Sequence, residues 1–600
     1  MWTGYTNIYC LKGITIKLKR QGDFMLVKQP NVILVITDDQ GYGDLGCTGN
    51  PWIQTPNLDH FYEDSVRLRD FHVSPLCAPT RGALMTGRRP LRNGVWATCW
   101  GRSILRKEEV TAADVFATNG YSTGLFGKWH LGDNYPYRPQ DRGFQRVVAH
   151  KGGGVGQTPD FWGNNYFDDT YFHNEQPVKH EGYCTDIWFE EAFKFMEENK
   201  DYPFFAYIST NAPHSPYLVA DQYALPYRGN RDIPSPEFYG MISNIDENFG
   251  RLREKLVQLG IENHTILIFM TDNGSSAGAD LDKNQQVVTG YNAGMRGKKG
   301  SYYDGGHRVP FFIRWPEGGL KGGKDIEEMA FHVDLLPTFI DVCNLRVPKK
   351  VDFDGRSLRQ ILREEFQSFE EDRVEFIQFR QDTIPPEKWT NAVATRKWRL
   401  IKGQELYDIK SDPGQKNDVA SMYPEVVERL RVAHEQWWEE VLPEIGKYSH
   451  ISLGSDEENP ARLDALDVMG DVAWSQHMVV NAQKSTGKWA VHVEKPGTYR
   501  FALRRWPEEL NLPINQAIDE KMAQSVAPYG RQEVECAIIC PVKAKFKIFD
   551  MEWETIVHDG DLEAVFNVTL DKAGETSLEA SFIDDKEEQR GAYYVYVERL

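Results

Sequence analysis

The sequence predicts an α/β protein: a largely parallel central sheet sandwiched by helices, followed by a small antiparallel subdomain and an appended all-β sandwich. Three observations carry this reading. Continuous apolar runs alternate with amphipathic helical patterns over the first half of the chain, polar residues follow each run, and from about Ala461 the periodicity changes to that of strands alone. The expected boundaries are a leader over 1–24, an α/β domain over 25–345, an α+β subdomain over 346–445 and a β-sandwich over 446–600.

The runs "NVILVIT" (31–37), "YSTGLF" (121–126), "PFFAYIST" (from 203) and "HTILIFMT" (264–271) suit parallel strands buried on both faces. Between them, "DIWFEEAFKFMEEN" (186–199) and "ISNIDENFGRLREKLVQLG" (242–260) carry the helical period. "YPEVVERLRVAHEQWWEEV" (423–441) reads as one amphipathic helix, and 442–460 as a polar linker. The runs "KWAVHVE", "YRFALRRW", "KAKFKIFD", "LEAVFNVTL", "TSLEASFI" and "AYYVYVERL" then favour an antiparallel sandwich.

Six hundred residues exceed one core, so several domains are expected. No apolar run reaches bilayer length, which argues against a membrane-spanning protein. The net charge of −19 argues against nucleic acid or an anionic membrane as partner. Eight irregularly spaced cysteines make no disulfide framework, and Cys536 and Cys540 lack the second pair a zinc site needs. Residues 1–24 are polar and basic, a poor signal-peptide core. The four residues before Met25 can be encoded with a purine-rich ribosome-binding sequence, so Met25 is the expected native start. A cytoplasmic location follows as an expectation, with the periplasm as alternative.

In parallel sheets ligands bind beyond the carboxyl ends of the strands. Asp38 and Asp39 follow the first run, Lys128 and His130 another, His214 the next, and Asp272 with Asn273 the last. Any one of these alone would be an ordinary turn former or cap. Three aspartates and an asparagine on one edge call for a cation, and hard oxygen donors without His or Cys favour Ca²⁺, with Mg²⁺ second, over zinc. In "SPLCAPTRGALMTGRRP" (74–90), Pro79 in a first turn places Cys77 at a helix N-terminus. Such a position lowers a thiol's pKa and suits an anion. A buried structural cysteine is the alternative.

"CAPTRGALMTGR" resembles the Cys-x-Pro-x-Arg signature of the type I, formylglycine-dependent sulfatases of the alkaline phosphatase superfamily. "GKWHLG", "NAPHSP", "TDNG" and "RGKKGSYYDGGHRVP" are similar to that family's later motifs in order, from about Asn31 to about Ala420. The resemblance implies a sulfuric ester hydrolase, arylsulfatase-like and of bacterial origin. Its Cys77 would be oxidised to formylglycine (3-oxoalanine) by a formylglycine-generating or anaerobic sulfatase-maturating enzyme. It further implies one Ca²⁺ held by Asp38, Asp39, Asp272, Asn273 and the modified Cys77. Arg81 would orient the diol, and Asp272 would accept its proton. Lys128 and Lys299 would bind sulfate oxygens, His214 would protonate the leaving oxygen and His130 would take a proton from the remaining hydroxyl.

The family often has Glu at Asp304 and a hydrophobic residue at His307, for which a structural histidine is expected here; Lys298 is expected to be solvated. A sulfated carbohydrate is the expected substrate, from the appended β domain and from the loop aromatics Trp100, Trp162 and Tyr166, with a small sulfate ester as the simpler case. Trp474, Trp489 and Trp506 could stack on sugars or fill the sandwich core. The rivals are a phosphonate monoester hydrolase or phosphodiesterase, in which a histidine usually replaces Asn273, and a non-catalytic glycan-binding relative.

Overall fold

The computed structural model describes residues 29–363, 373–519 and 536–600, together with Met522, Ala523, Val526 and the backbone of three short antiparallel strands between 10 and 28. Most of the expected leader lies outside the described residues. Among those described, the central sheet has ten strands: β1 (Asn31–Thr37), β2 (Val66–Leu68), β3 (Ser122–Lys128), β4 (Arg146–His150), β5 (Thr170–His173), β6 (Gln176–Lys179), β7 (Phe204–Ser209), β8 (Thr265–Thr271), β9 (Phe311–Arg314) and β10 (Lys324–Ile326). Their order is β6-β5-β4-β3-β7-β1-β8-β9-β2-β10. The run β4-β3-β7-β1-β8 is parallel throughout, and antiparallel pairs flank it on both sides. The fold is therefore α/β with a largely parallel sheet.

Alternation along β1 explains why its run is continuously apolar. Val32, Leu34 and Ile36 face one core, and Ile33 and Val35 face the other, all fully buried. Burial of each such side chain stabilises the fold by roughly 1.5–3 kcal/mol. Helices Ala112–Thr118 and Leu335–Val342 cover the first face, and Pro56–Asp64, Cys184–Asn199 and Pro236–Leu259 cover the second. The last of these begins six residues before its expected start at Ile242. Pro236 occupies the first turn, where no N–H is needed, and the Ser235 hydroxyl accepts from the Phe238 N–H at 3.3 Å.

Four antiparallel strands, Glu375–Gln378, Asn391–Ala394, Trp398–Ile401 and Glu405–Asp408, make the small subdomain. Its helix runs over Pro424–Ile445, one turn longer than expected. The stretch expected as a linker is structured: Ile451–Leu453 pairs in parallel with Gly487–Val493. Tyr137 on the catalytic side donates to the His450 carbonyl at 2.8 Å. The C-terminal strands form two packed sheets. Trp489, Val491 and Phe546 of one meet Tyr499, Phe501 and Val595 of the other, with the Phe501 and Phe546 ring centroids 4.3 Å apart. "CAIIC" precedes the strand Pro541–Ile548 and is not itself a strand.

The sandwich packs directly on the loop 152–169. Thr158 N–H donates to the Trp474 carbonyl at 3.0 Å, Tyr594 Oη to the Thr158 carbonyl at 3.1 Å, and Gly163 N–H to Gln476 Oε1 at 3.0 Å. Trp162 of that loop is buried edge-on against Trp506, with centroids 5.5 Å apart. Tyr166 is fully buried, so neither aromatic is available to stack on a sugar.

Asp160 organises this loop, its carboxylate accepting from Gly156 N–H at 3.0 Å and Asn164 Nδ2 at 3.1 Å. At 1% exposure, burial pushes it up to about 7, and Asp169 acts in the same direction. The folded protein thus keeps a proton that the unfolded chain releases near pH 4. Stability present at acid pH is therefore lost as pH rises towards 7. The melting temperature of Asp160→Asn relative to wild type is expected to become more favourable between pH 5 and pH 8, as read by thermal melts at both. A difference independent of pH would contradict the assignment.

Candidate active site

The ten candidate residues meet at one edge of the sheet, most of them carried there by strand ends. Asp38 and Asp39 leave β1, Lys128 closes β3, and Asp272 and Asn273 leave β8. Because β1 lies between β7 and β8, with β3 beyond β7, these groups converge without long loops. Cys77 is the first residue of the helix Cys77–Thr86, and Arg81 lies one turn further on the same face.

Ion pairs tie the site together. Lys128 Nζ meets Asp38 Oδ2 at 2.6 Å with both groups buried. Lys299 Nζ lies 2.6 Å from Asp39, which also accepts from Asn273 Nδ2 at 3.0 Å. The Arg81 guanidinium donates through Nε and Nη2 to Asp272 Oδ2 at 3.0 and 2.8 Å, and through Nη1 to Ser209 Oγ. Asp272 Oδ1 accepts the Asp39 N–H at 3.0 Å. His214 Nε2 stands 3.7 Å from Asp39, and its Nδ1 is 2.6 Å from the Ser215 carbonyl.

Three cations thus answer three carboxylates, so charge balance alone does not require a metal. Two unpartnered atoms do point to one. Asp38 Oδ1 and Asn273 Oδ1 are buried acceptors with no hydrogen-bond partner. Ligand atoms of Asp38, Cys77 and Asp272 lie within 4.8 Å of one another. Hard oxygens around this point fit Ca²⁺ or Mg²⁺, and among the described residues no other His/Cys/Asp/Glu group converges as closely.

The electrostatics follow from burial. Burial and the neighbouring Asp38 push Asp272 up to about 7 against Arg81. Against the same upward push, Lys299 and His214 hold Asp39 well below the usual carboxylate range. Burial and Lys128 hold His130 neutral. His214 is lowered to about 4 by burial and by Lys299. The Cys77 thiol corrects the expectation of a lowered pKa: at 2% exposure burial pushes it up, and Lys128 and Lys299 only oppose this. The helix N-terminus therefore does not make it a reactive thiolate.

His130 Nδ1 stands 3.5 Å from Cys77 Sγ, and its Nε2 lies 3.0 Å from the Thr98 carbonyl. Asp39 and His130 both adopt left-handed backbone, φ 68° and 61°, a cost of about 1–3 kcal/mol each that marks functional positions. Tyr166 Oη donates to the carbonyls of His214 and Ser215 at 3.0 and 3.1 Å, fixing the His214 turn.

Sequence reasoning missed Gly153. A Cβ there would lie 2.3 Å from His130 Cε1, so only glycine lets the loop close on that ring. Its N–H donates to Gln157 Oε1 at 2.7 Å. Gly153→Ala is expected to leave a folded protein but shift the imidazole and lower turnover on the order of 100-fold. Steady-state kinetics beside a thermal melt check this; unchanged turnover would show that His130 tolerates displacement.

The cavity above Cys77 measures about 760 Å³. Phe379 and Gln381 of the small subdomain and Trp100 line it, as do Val472, Trp474 and Met478 of the sandwich. Two other positions are structural, as expected of His307. Asp304 pairs with Arg399 at 2.9 Å, and His307 packs on His72 with ring nitrogens 3.0 Å apart. Lys298 is half-buried and donates to the Ser276 and Ala279 carbonyls at 3.4 and 3.3 Å, so it is not simply solvated.

A family model described as Sulfatase matches residues 30–345, and one described as N-sulphoglucosamine sulphohydrolase, C-terminal, matches 297–438. The chain belongs to the sulfatase family. It is 31% identical over 368 residues to arylsulfatase A of Homo sapiens, covering 56% of this chain and 68% of that protein. It is 29% identical over 364 residues to an arylsulfatase of Hemicentrotus pulcherrimus, covering 56% and 62%. The chain thus spans about two thirds of the length of these relatives. The solved structure of Ps i-CgsB in complex with k-i-k-neocarrahexaose is 27% identical, with TM-score 0.61, covering 70% of this chain and 95% of that one.

Proposed function

We propose that this protein hydrolyses sulfate monoesters of a sulfated carbohydrate, using formylglycine derived from Cys77 and one bound Ca²⁺. The observation that carries the reading is the pair of unpartnered buried oxygens, Asp38 Oδ1 and Asn273 Oδ1, beside Cys77 and Asp272 in a family whose motifs the chain retains. Asp38, Asp39, Asp272, Asn273 and residue 77 would hold the ion. Bound there, Ca²⁺ supplies Lewis-acid polarisation of oxygen, and the hydrated aldehyde supplies the nucleophilic oxygen.

The remaining roles fall to the side chains in hand. Lys128 and Lys299 neutralise sulfate oxygens. Arg81, anchored by Asp272 and Ser209, fixes the helix turn that presents residue 77. Asp272 would accept the nucleophile's proton, as the resemblance implies. Neutral His130, 3.5 Å from Sγ, is placed to accept a proton from an oxygen at that position. His214, which lines the cavity beside Lys299, is assigned the proton for the leaving oxygen; an anionic sulfate there would offset the lysine's part of the lowering, burial remaining the larger part. A formylglycine-generating or anaerobic sulfatase-maturating enzyme is the required partner. We place the reaction in the cytoplasm, with which the seven unpaired described cysteines agree.

A screen of the matured protein against sulfated carrageenan and glycosaminoglycan oligosaccharides, with a small aryl sulfate and a phosphonate monoester as controls, tests this. Sulfate release from one oligosaccharide class is expected. Faster turnover of the phosphonate than of every sulfate would overturn it.

A further inference from the structure

The sulfatase family models end at residue 438, yet the cavity over Cys77 does not end with them. Part of its wall comes from the segment 472–483, which belongs to the β-sandwich. This segment is clamped in place. Its Trp474 carbonyl accepts from Thr158 at 3.0 Å, its Gln476 N–H donates to the Gly156 carbonyl at 3.3 Å, and Gln476 Nε2 donates to the Gln157 carbonyl at 3.2 Å. Gln157 in turn holds Gly153 against His130. The sandwich is thereby tied to the reaction centre through four residues.

The three candidate aromatics of the sandwich divide by exposure. Trp489 and Trp506 are 1% exposed and serve its core, whereas Trp474 is half-buried and lines the cavity. Val472 and Met478 beside it are apolar, and the Gln483 amide adds a polar edge. A pyranose ring offers matching surfaces, an apolar face of C–H groups and a rim of hydroxyls. A cavity of about 760 Å³ also exceeds what a sulfate group alone requires.

We propose that the β-sandwich is a specificity element of the active site, in which Trp474, flanked by Val472 and Met478, is the platform for a sugar ring of the sulfated substrate. This rests on the hydrolase reading above. An indole suits the role because it presents a large rigid face at little entropic cost. The sandwich thus selects the glycan, and the strand ends of the α/β domain carry out the hydrolysis.

The test compares Trp474→Phe with Trp474→Leu, since both stay apolar and only the first keeps a ring face. The substrates are the most rapidly hydrolysed oligosaccharide of the panel and a small aryl sulfate. For Leu, kcat/KM on the oligosaccharide is expected to fall about tenfold, mainly through KM, with the aryl sulfate changed less than about threefold. Phe should stay within about threefold of wild type on both. In a Cys77→Ala background, which lacks the nucleophile, Trp474→Leu should weaken oligosaccharide binding about tenfold by calorimetry. Equal losses on both substrates, or Leu performing as well as Phe, would overturn the proposal. Wild-type protein that binds the oligosaccharide through Trp474 but releases no sulfate would instead overturn the hydrolase reading and leave the platform standing.

Discussion

Cys77→Ala is expected to lower sulfate ester turnover by about 10⁶-fold, the scale on which a covalent nucleophile is lost, while the protein stays folded. The side chain is buried at the start of its helix, and replacing it removes one sulfur from a packed site, a loss of about 1 kcal/mol. Asp38, Asp39, Asp272 and Asn273 remain, so added Ca²⁺ should still raise the melting temperature. At 100-fold excess over its Kd, ion binding adds about 2.7 kcal/mol to stability. Turnover assays and melts with chelator and with Ca²⁺ separate the two effects. A variant that keeps measurable turnover, or that loses the Ca²⁺ response along with it, would show that residue 77 is not the nucleophile or that it dominates the ion site.

Asp272→Ala should be strongly destabilising. Its carboxylate neutralises Arg81, whose guanidinium is 0% exposed, and it holds the Asp39 N–H. Removing it leaves a buried charge without its partner, which costs about 3–5 kcal/mol. Both turnover and the Ca²⁺-dependent rise in melting temperature should disappear. Melts with and without Ca²⁺ check this, and a variant that melts with the wild type and still gains from the ion would contradict the placement of Asp272.

The contrast between these two variants reflects what the sequence makes readable. Asp38, Lys128 and Asp272 are legible because each ends an apolar run, and parallel strands must carry their ends to one edge. The partners of those residues are harder to read. That Lys128 meets Asp38 depends on strand order, with β7 between β3 and β1, and that Lys299 meets Asp39 depends on a loop held by its N–H to the Ser275 carbonyl. The cysteine's environment reads wrongly for a simple reason: a helix N-terminus predicts a lowered pKa, but only the packed fold reveals how little water reaches the thiol.

Other features leave no local trace. Thr98 contributes its carbonyl to His130, and a carbonyl is common to every residue type. Gly153 sits in a glycine-rich loop where nothing distinguishes it until His130 packs against it. Trp474 lies far along the chain from Cys77, in a domain where Trp489 and Trp506 are core, so its place in the wall depends on how the sandwich docks. The extended helix at Pro236 is a milder case, in which a proline marks a helix start.

The proposed reaction depends on oxidised Cys77. The most direct measurement takes several preparations that differ in maturation, quantifies the aldehyde in the tryptic peptide 70–81 by mass spectrometry, and plots it against turnover per total protein with Ca²⁺ saturating. A straight line through the origin is expected, with thiol-only protein inactive yet equally folded. Full turnover from protein whose Cys77 is entirely unmodified would contradict it.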